Sequence, residues 1–202
     1  MSSAQTRWLS ATGAREVLAA GEVVLLNTDT LPGLHARLDR PQGLSRLREC
    51  KQREAARPFL VLAASCTDAL ALLAPAANPW FGYLQRCWPG PFTMILPAAP
   101  GSPPAVLAPT GTVAVRVPDR PPLRQLLADV GPLASTSANA PGEAPARTLR
   151  EALEAFPALA AWDDGAEESL AGAPSALVDL TGDQPRLLRD GPEALPTWSA
   201  TT

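Results

Sequence analysis

The sequence predicts an α/β fold, a single-domain twisted open mixed sheet with flanking helices, and three observations carry that expectation. Short apolar runs suited to buried strands alternate with helix-length amphipathic stretches. Twenty-three prolines punctuate the chain into brief segments, and polar loops recur where the strands end. With 202 residues, 46% apolar and 18% charged, the chain has the size of one compact domain, taken as 1–202.

Taken in order, residues 16–20 end a first helix that Gly21 stops, residues 23–26 (Val-Val-Leu-Leu) make a strand buried on both faces, and 27–33 is the loop at its end. Pro41 suits the first turn of a helix that carries Leu44, Leu47 and Arg48 toward Lys51, and 59–63 reads as the next buried strand. A helical pair over 67–87 is ended by Trp88-Pro89-Gly90-Pro91, which launches a strand at 92–96, and 98–109 is loop. Residues 113–117 form a strand bearing Arg116, 121–130 a helix, and 133–135 a short strand entering Thr136-Ser137-Ala138-Asn139. Thr148 and Glu151 make a capping box for a helix to Phe156, no element is assigned from there to Trp162, and 176–180 and 186–188 are the last strands.

The rare residues exclude whole classes of chemistry. His35 is the sole histidine, so a multi-histidine metal site is impossible and a Ser-His-Asp or Cys-His mechanism would have to use that one ring, which reads better as a packing or surface residue. Cys50, Cys66 and Cys87 are odd in number and far apart, which fits reduced packing residues better than disulfides or a metal knot. A formal charge of −3 argues against non-specific nucleic-acid binding. No run approaches the roughly 20 apolar residues of a membrane span, and Arg7 is not followed by an apolar stretch, so a cytoplasmic protein is expected. Neither G-x-x-x-x-G-K-[ST] nor G-x-G-x-x-G occurs. Lys51 is the one lysine beside sixteen arginines, a choice that suggests a need for a compact point charge, such as a phosphate contact, against the alternative of chance survival on a helix surface. In open α/β sheets ligands gather where strand ends deliver loops, and three such loops here are rich in hydroxyl, amide and basic side chains, which points to a polar ligand.

Six blocks in order resemble the YrdC/TsaC-type threonylcarbamoyl-AMP synthases. Asn27-Thr28-Asp29-Thr30-Leu31-Pro32-Gly33-Leu34 is similar to that family's P-T-[DE]-T-x-[YF]-G-L loop, Lys51-Gln52-Arg53 to its K-x-R signature and Ser137-Ala138-Asn139 to its S-x-N signature. The blocks at 88–93, 113–118 and 175–181 are similar to three further ones, so the likeness covers most of the chain. The resemblance implies a deep, positively lined cleft (a YrdC-like fold) that binds ATP, L-threonine and bicarbonate and releases threonylcarbamoyl-AMP and pyrophosphate for the threonylcarbamoyl-adenosine modification of tRNA. Carried over position by position, it puts Lys51, Arg53, Arg57 and Arg189 on the phosphates or adenylate, with Lys51 and Arg53 in the catalytic role, and Thr112, Ser137 and Asn139 at the nucleotide. Thr30 would meet the polar end of threonine, Arg116 its carboxylate, Ser135 and Ser175 would add hydrogen bonds, and Thr28 would shape the loop. Outside that resemblance, Ser, Thr and Asn at strand ends cap turns, and a strand arginine such as Arg116 pairs with an aspartate. Magnesium is expected with the nucleotide and no metal is expected to be held by the protein itself. Downstream transferase machinery and tRNA are the partners implied, and no membrane is.

The sequence departs from the family pattern at Asn27 (for proline), Pro32 (for an aromatic residue), Glu54, Arg57 and Pro141. Pro32 makes the wall beside the substrate smaller. Two rival readings therefore stay open: a non-catalytic RNA- or nucleotide-binding paralogue with the same cleft, and an ATP-dependent enzyme acting on another small amine. The length of the chain resembles the short bacterial form of the family.

Overall fold

A computed structural model describes residues 8–52, 57–140, 142–165 and 172–198. Ten strands form one mixed sheet: β1 (Trp8–Leu9), β2 (Val24–Leu26), β3 (Gly33–Arg37), β4 (Leu60–Leu62), β5 (Phe92–Pro97), β6 (Thr112–Arg116), β7 (Leu133–Ser137), β8 (Ala160–Trp162), β9 (Ala176–Asp179) and β10 (Arg186–Arg189). Their order across the sheet is β1-β8-β2-β3-β7-β4-β6-β5-β9-β10, with β2/β8, β4/β6 and β5/β9 parallel and β2/β3, β3/β7, β4/β7 and β5/β6 antiparallel. The helices are α1 (Ala11–Ala19), α2 (Pro41–Cys50), α3 (Cys66–Leu70), α4 (Phe81–Cys87), α5 (Pro121–Val130) and α6 (Leu149–Ala155).

The period-two alternation of the strands explains the position of the site. One face of the sheet carries Leu25, Leu34, Ala36, Val61, Met94, Val113, Val115, Ala134 and Val178, all buried in the larger core with residues of α2, α4 and α6. The opposite face is split. On one side of it Val24, Leu26, Leu62, Leu133 and Trp162 pack under Ala14 and Leu18 of α1 and Leu123, Leu126, Leu127 and Val130 of α5. Beyond these two helices the face carries Leu60, Thr93, Ile95, Ala114, Arg116, Ser135, Ser137 and Leu177, and here it is the floor of a cleft. Arg120 and Asp164, both nearly fully buried, join the start of α5 to the loop after β8 through two bonds of 2.5 and 2.6 Å.

Three expectations need correction. The helical pair over 67–87 is three short pieces, α3, a 3-10 segment at Pro75–Trp80 and α4, because Pro75 and Pro79 cannot continue an α-helical ladder. The strand expected at 133–135 runs on to Ser137, paired with β3 over its whole length. β3 itself, β1 and β8 were not expected. β3 offers only Leu34 and Ala36 to a core, since Gly33 and His35 face the other way, and β1 and β8 are two and three residues long. The expected cap is present in altered form, with Thr148 Oγ1 accepting from Glu151 N at 3.1 Å while the Glu151 carboxylate accepts from Arg147 N, one residue before the N-cap, at 2.7 Å. Among the described residues the three cysteines are free thiols, and no helix is long and apolar enough to cross a membrane.

Candidate active site

The cleft holds about 490 Å³ and is lined by residues that lie far apart in the chain. Its first wall is the 27–33 loop between β2 and β3. Thr28 organises that loop: its Oγ1 accepts from the amides of Thr30 and Leu31 at 3.1 and 3.2 Å and donates to the Leu31 carbonyl at 2.8 Å. A β-branched hydroxyl residue does this well because its stiff χ1 holds the oxygen over the turn. The Thr28 and Thr30 hydroxyls lie 2.9 Å apart, and both line the cleft.

Arg116, at the end of β6, is 3% exposed and ties three elements together. Nη1 donates to Thr30 Oγ1 at 2.8 Å, Nε donates to Gly90 O at 3.2 Å in the Trp88–Phe92 turn, and Nη2 pairs with the Asp29 carboxylate. The aspartate partner that a strand arginine ordinarily takes is therefore present, yet the guanidinium still lines the cleft. Asp29 was not singled out among the site residues, although it stands inside the motif that drew attention to the loop. Its second carboxylate oxygen is buried without a hydrogen-bond partner.

Opposite, Ser175 lies at the entry to β9 and shares a 2.7 Å hydrogen bond with Thr93 of β5, both buried and both on the lining. Thr93 was also missed; its signal was its place beside the Trp-Pro-Gly-Pro turn, in phase with Ile95. Arg189, on the edge strand β10, donates Nε and Nη2 to the Ser175 carbonyl at 3.1 and 2.9 Å. Partial burial and the nearby Arg116 charge both push its pKa down. Among the described residues no carboxylate pairs with Arg189. Arg57 lies exposed at the approach to β4 and also lines the cleft.

Ser135 and Ser137 project from β7 into the cleft, whereas Asn139, Lys51 and Thr112 are not among its lining residues. Thr112 shares the face of Ala114 and Arg116 but lies at the far end of β6, where its hydroxyl meets that of Thr110 at 2.9 Å. Lys51 caps the C-terminus of α2, and its ammonium reaches the turn after β7: 3.1 Å to Ser137 O, 2.5 Å to Asn139 O and 2.9 Å to Asn139 Oδ1. Arg53, Glu54 and Pro141 lie outside the described residues.

His35 is wholly buried on β3, between Val24 of the second core and Ser135 of the cleft, and it does not line the cavity. Neither ring nitrogen has a hydrogen-bond partner, and burial drives its pKa down to about 4, with the Arg116 charge adding to the shift. The backbones of Gly33 and Val24 lie close enough to oppose that shift but not in bonding geometry. It is a neutral packing residue at neutral pH.

A cleft on one face of a mixed sheet, lined by Arg57, Arg116 and Arg189 and by several hydroxyl side chains among apolar ones, has the make-up of a site for a polar ligand. A family model described as telomere recombination, Sua5/YciO/YrdC, matches residues 16–191, and the chain belongs to that family. It is 33% identical over 181 residues to the threonylcarbamoyl-AMP synthase of Bacillus subtilis, covering 88% of this chain and 52% of that protein. The threonylcarbamoyl-AMP synthase of Thiobacillus denitrificans is 32% identical, covering 89% of this chain and 96% of that one. The crystal structure of P. abyssi Sua5 complexed with L-threonine superposes with a TM-score of 0.81 at 28% identity, over 90% of this chain and 54% of that one. The chain thus spans about half the length of the Bacillus and P. abyssi proteins and nearly all of the Thiobacillus one.

Proposed function

We propose that the protein is an L-threonylcarbamoyladenylate synthase, a nucleotidyltransferase that converts L-threonine, bicarbonate and ATP into threonylcarbamoyl-AMP and pyrophosphate. One observation carries the reading: a single cleft brings the Thr28/Thr30 loop and Arg116 together with Ser137, Arg57 and Arg189, residues that the resemblance to the threonylcarbamoyl-AMP synthases assigns to the substrates. The threonine amine condenses with bicarbonate to a carbamate, losing water. A carbamate oxygen then forms a bond to the α-phosphorus of ATP as the bond to the bridging oxygen breaks, and pyrophosphate leaves with that electron pair.

This chemistry asks for position and charge more than for a protein base, which suits a chain whose only imidazole is buried, neutral and off the cleft lining. Holding carbamate and triphosphate in register draws on the roughly 7–11 kcal/mol available from orientation, and cationic side chains stabilise charge on the phosphate oxygens. In this assignment Arg116 and Thr30 receive the amino acid with Ser135 and Ser175 beside them. Arg53, Arg57 and Arg189 meet the phosphates and Ser137 flanks the nucleotide, with Asn139 accepting from the Ser137 hydroxyl behind it; Thr112, off the cleft lining, is left without a ligand contact. Magnesium arrives with ATP to neutralise the triphosphate. The activated adenylate is then consumed by a transferase that places threonylcarbamoyl on a tRNA adenosine.

The test is pyrophosphate release by the purified chain with ATP, magnesium and bicarbonate. The proposal expects a signal that requires threonine and is lost with serine or without bicarbonate. It also expects Arg53→Ala and Arg189→Ala each to lower the rate while circular dichroism stays unchanged. Nucleotide binding with no turnover favours the non-catalytic paralogue, and turnover with a different amine favours the altered-substrate enzyme that the small Pro32 wall would admit.

A further inference from the structure

We infer that Lys51 is a positioning residue that clamps the turn after β7 and fixes Ser137 as a hydrogen-bond acceptor toward the cleft, instead of a direct phosphate ligand. The turnover arm of this inference rests on the adenylating reading; its structural arm does not. Three oxygens from one turn converge on the Lys51 ammonium, two backbone carbonyls and the Asn139 side-chain oxygen, at 2.5 to 3.1 Å. They reach it across 86 and 88 residues of chain, so the contact joins the end of α2 to the end of β7. Gln52, with a left-handed φ of 44°, leaves the helical conformation immediately after Lys51, the C-cap of α2.

A compact ammonium presents its N–H groups tetrahedrally and can meet oxygens that converge on one point, whereas a planar guanidinium fork spreads its donors in a single plane. That difference accounts for the one lysine in a chain that meets every other basic need with arginine. The consequence passes through Asn139. Its Nδ2 donates to the carbonyls of Ala140 and Glu143 at 3.0 and 2.8 Å, which settles Oδ1 as the acceptor, and Oδ1 takes bonds from both Lys51 and Ser137 Oγ, the latter at 2.6 Å. With its proton committed to Asn139, the Ser137 oxygen on the cleft lining offers lone pairs. The ligand group it receives is therefore a donor, a hydroxyl or an amine, and not a phosphate oxygen.

The experiment compares the full chain with Lys51→Arg and Lys51→Met. In the ligand-free proteins, amide hydrogen exchange at Ala138, Asn139 and Ala146 is expected to quicken by about tenfold or more in both variants, with amides of β2 and β5 at wild-type rates. In steady state both variants are expected to lower kcat by about tenfold or more with the KM for ATP within about threefold of wild type. Arginine keeps the charge and binds phosphate well, so restoration of kcat by Lys51→Arg overturns the inference. Wild-type exchange in that turn for Lys51→Met, together with a KM for ATP raised more than about tenfold, also overturns it. A wild-type chain without threonine-dependent turnover rejects the adenylating reading, while the exchange measurement still decides the role of Lys51.

Discussion

Arg116 shows how one side chain can hold the fold and face the ligand at once. Its guanidinium fixes Asp29, Thr30 and Gly90 in place and still lines the cleft, so its charge alone is not its contribution. Arg116→Lys keeps the charge but cannot span all three partners, and kcat/KM for threonine is expected to fall by at least about tenfold in a pyrophosphate assay. A wild-type value would contradict this account of the site. His35 leads to a prediction about pH. The unfolded imidazole takes its proton near 6.5 and the buried one only near 4, so between those values the unfolded state holds more protons and folding stability declines as pH falls. The full decline amounts to about 3 kcal/mol. Thermal midpoints should therefore drop between pH 6.5 and 5, above the range where carboxylates titrate, and His35→Leu should flatten that slope. An unchanged slope in the variant would place its origin elsewhere.

At the scale of elements, the β3/β7 pair brings the first loop beside the Ser137 turn. Gly33 makes that pairing close: a Cβ there would meet His35 Cε1 at 2.8 Å and the Thr136 carbonyl at 2.9 Å. Gly33→Ala is expected to cost about 1–3 kcal/mol in urea unfolding. Adding His35→Ala should recover only part of the loss, because the ring yields but the backbone carbonyl does not. Full recovery would show that the strand pairing is looser than described. The same pair marks the limit of what the sequence reveals. β2, β4, β5 and β9 announce themselves as apolar runs, because both of their faces are largely apolar, and β6 by the alternation of Val113 and Val115 with its cleft-facing residues. β3 hides, because its second face carries Gly33 and His35, and its partners β2 and β7 supply the burial that its own composition does not. Pro75 and Pro79 were plain in the sequence, but their effect on the length of a helix depends on packing that a single segment does not display.

For the molecule as a whole, the cleft is the part of a ten-stranded sheet face that α1 and α5 leave uncovered. The loops that bound it could be picked out from their chemistry, since hydroxyl, amide and basic residues cluster only at certain strand ends. Their convergence could not, because it depends on a strand order that carries β7 between β3 and β4 and sets β9 beside β5. Asp29 and Thr93 were overlooked for the same reason, each acquiring its role from a partner 87 or 82 residues away. If the proposed activity holds, this one cleft joins bicarbonate, threonine and ATP in a single product. The most direct measurement is to supply carbon-labelled bicarbonate with ATP, magnesium and L-threonine, and to follow the label into an adenylate separated by chromatography. A labelled adenylate is expected, forming only with threonine and in step with pyrophosphate. Pyrophosphate release without label in the nucleotide, or an adenylate labelled equally without threonine, would contradict it.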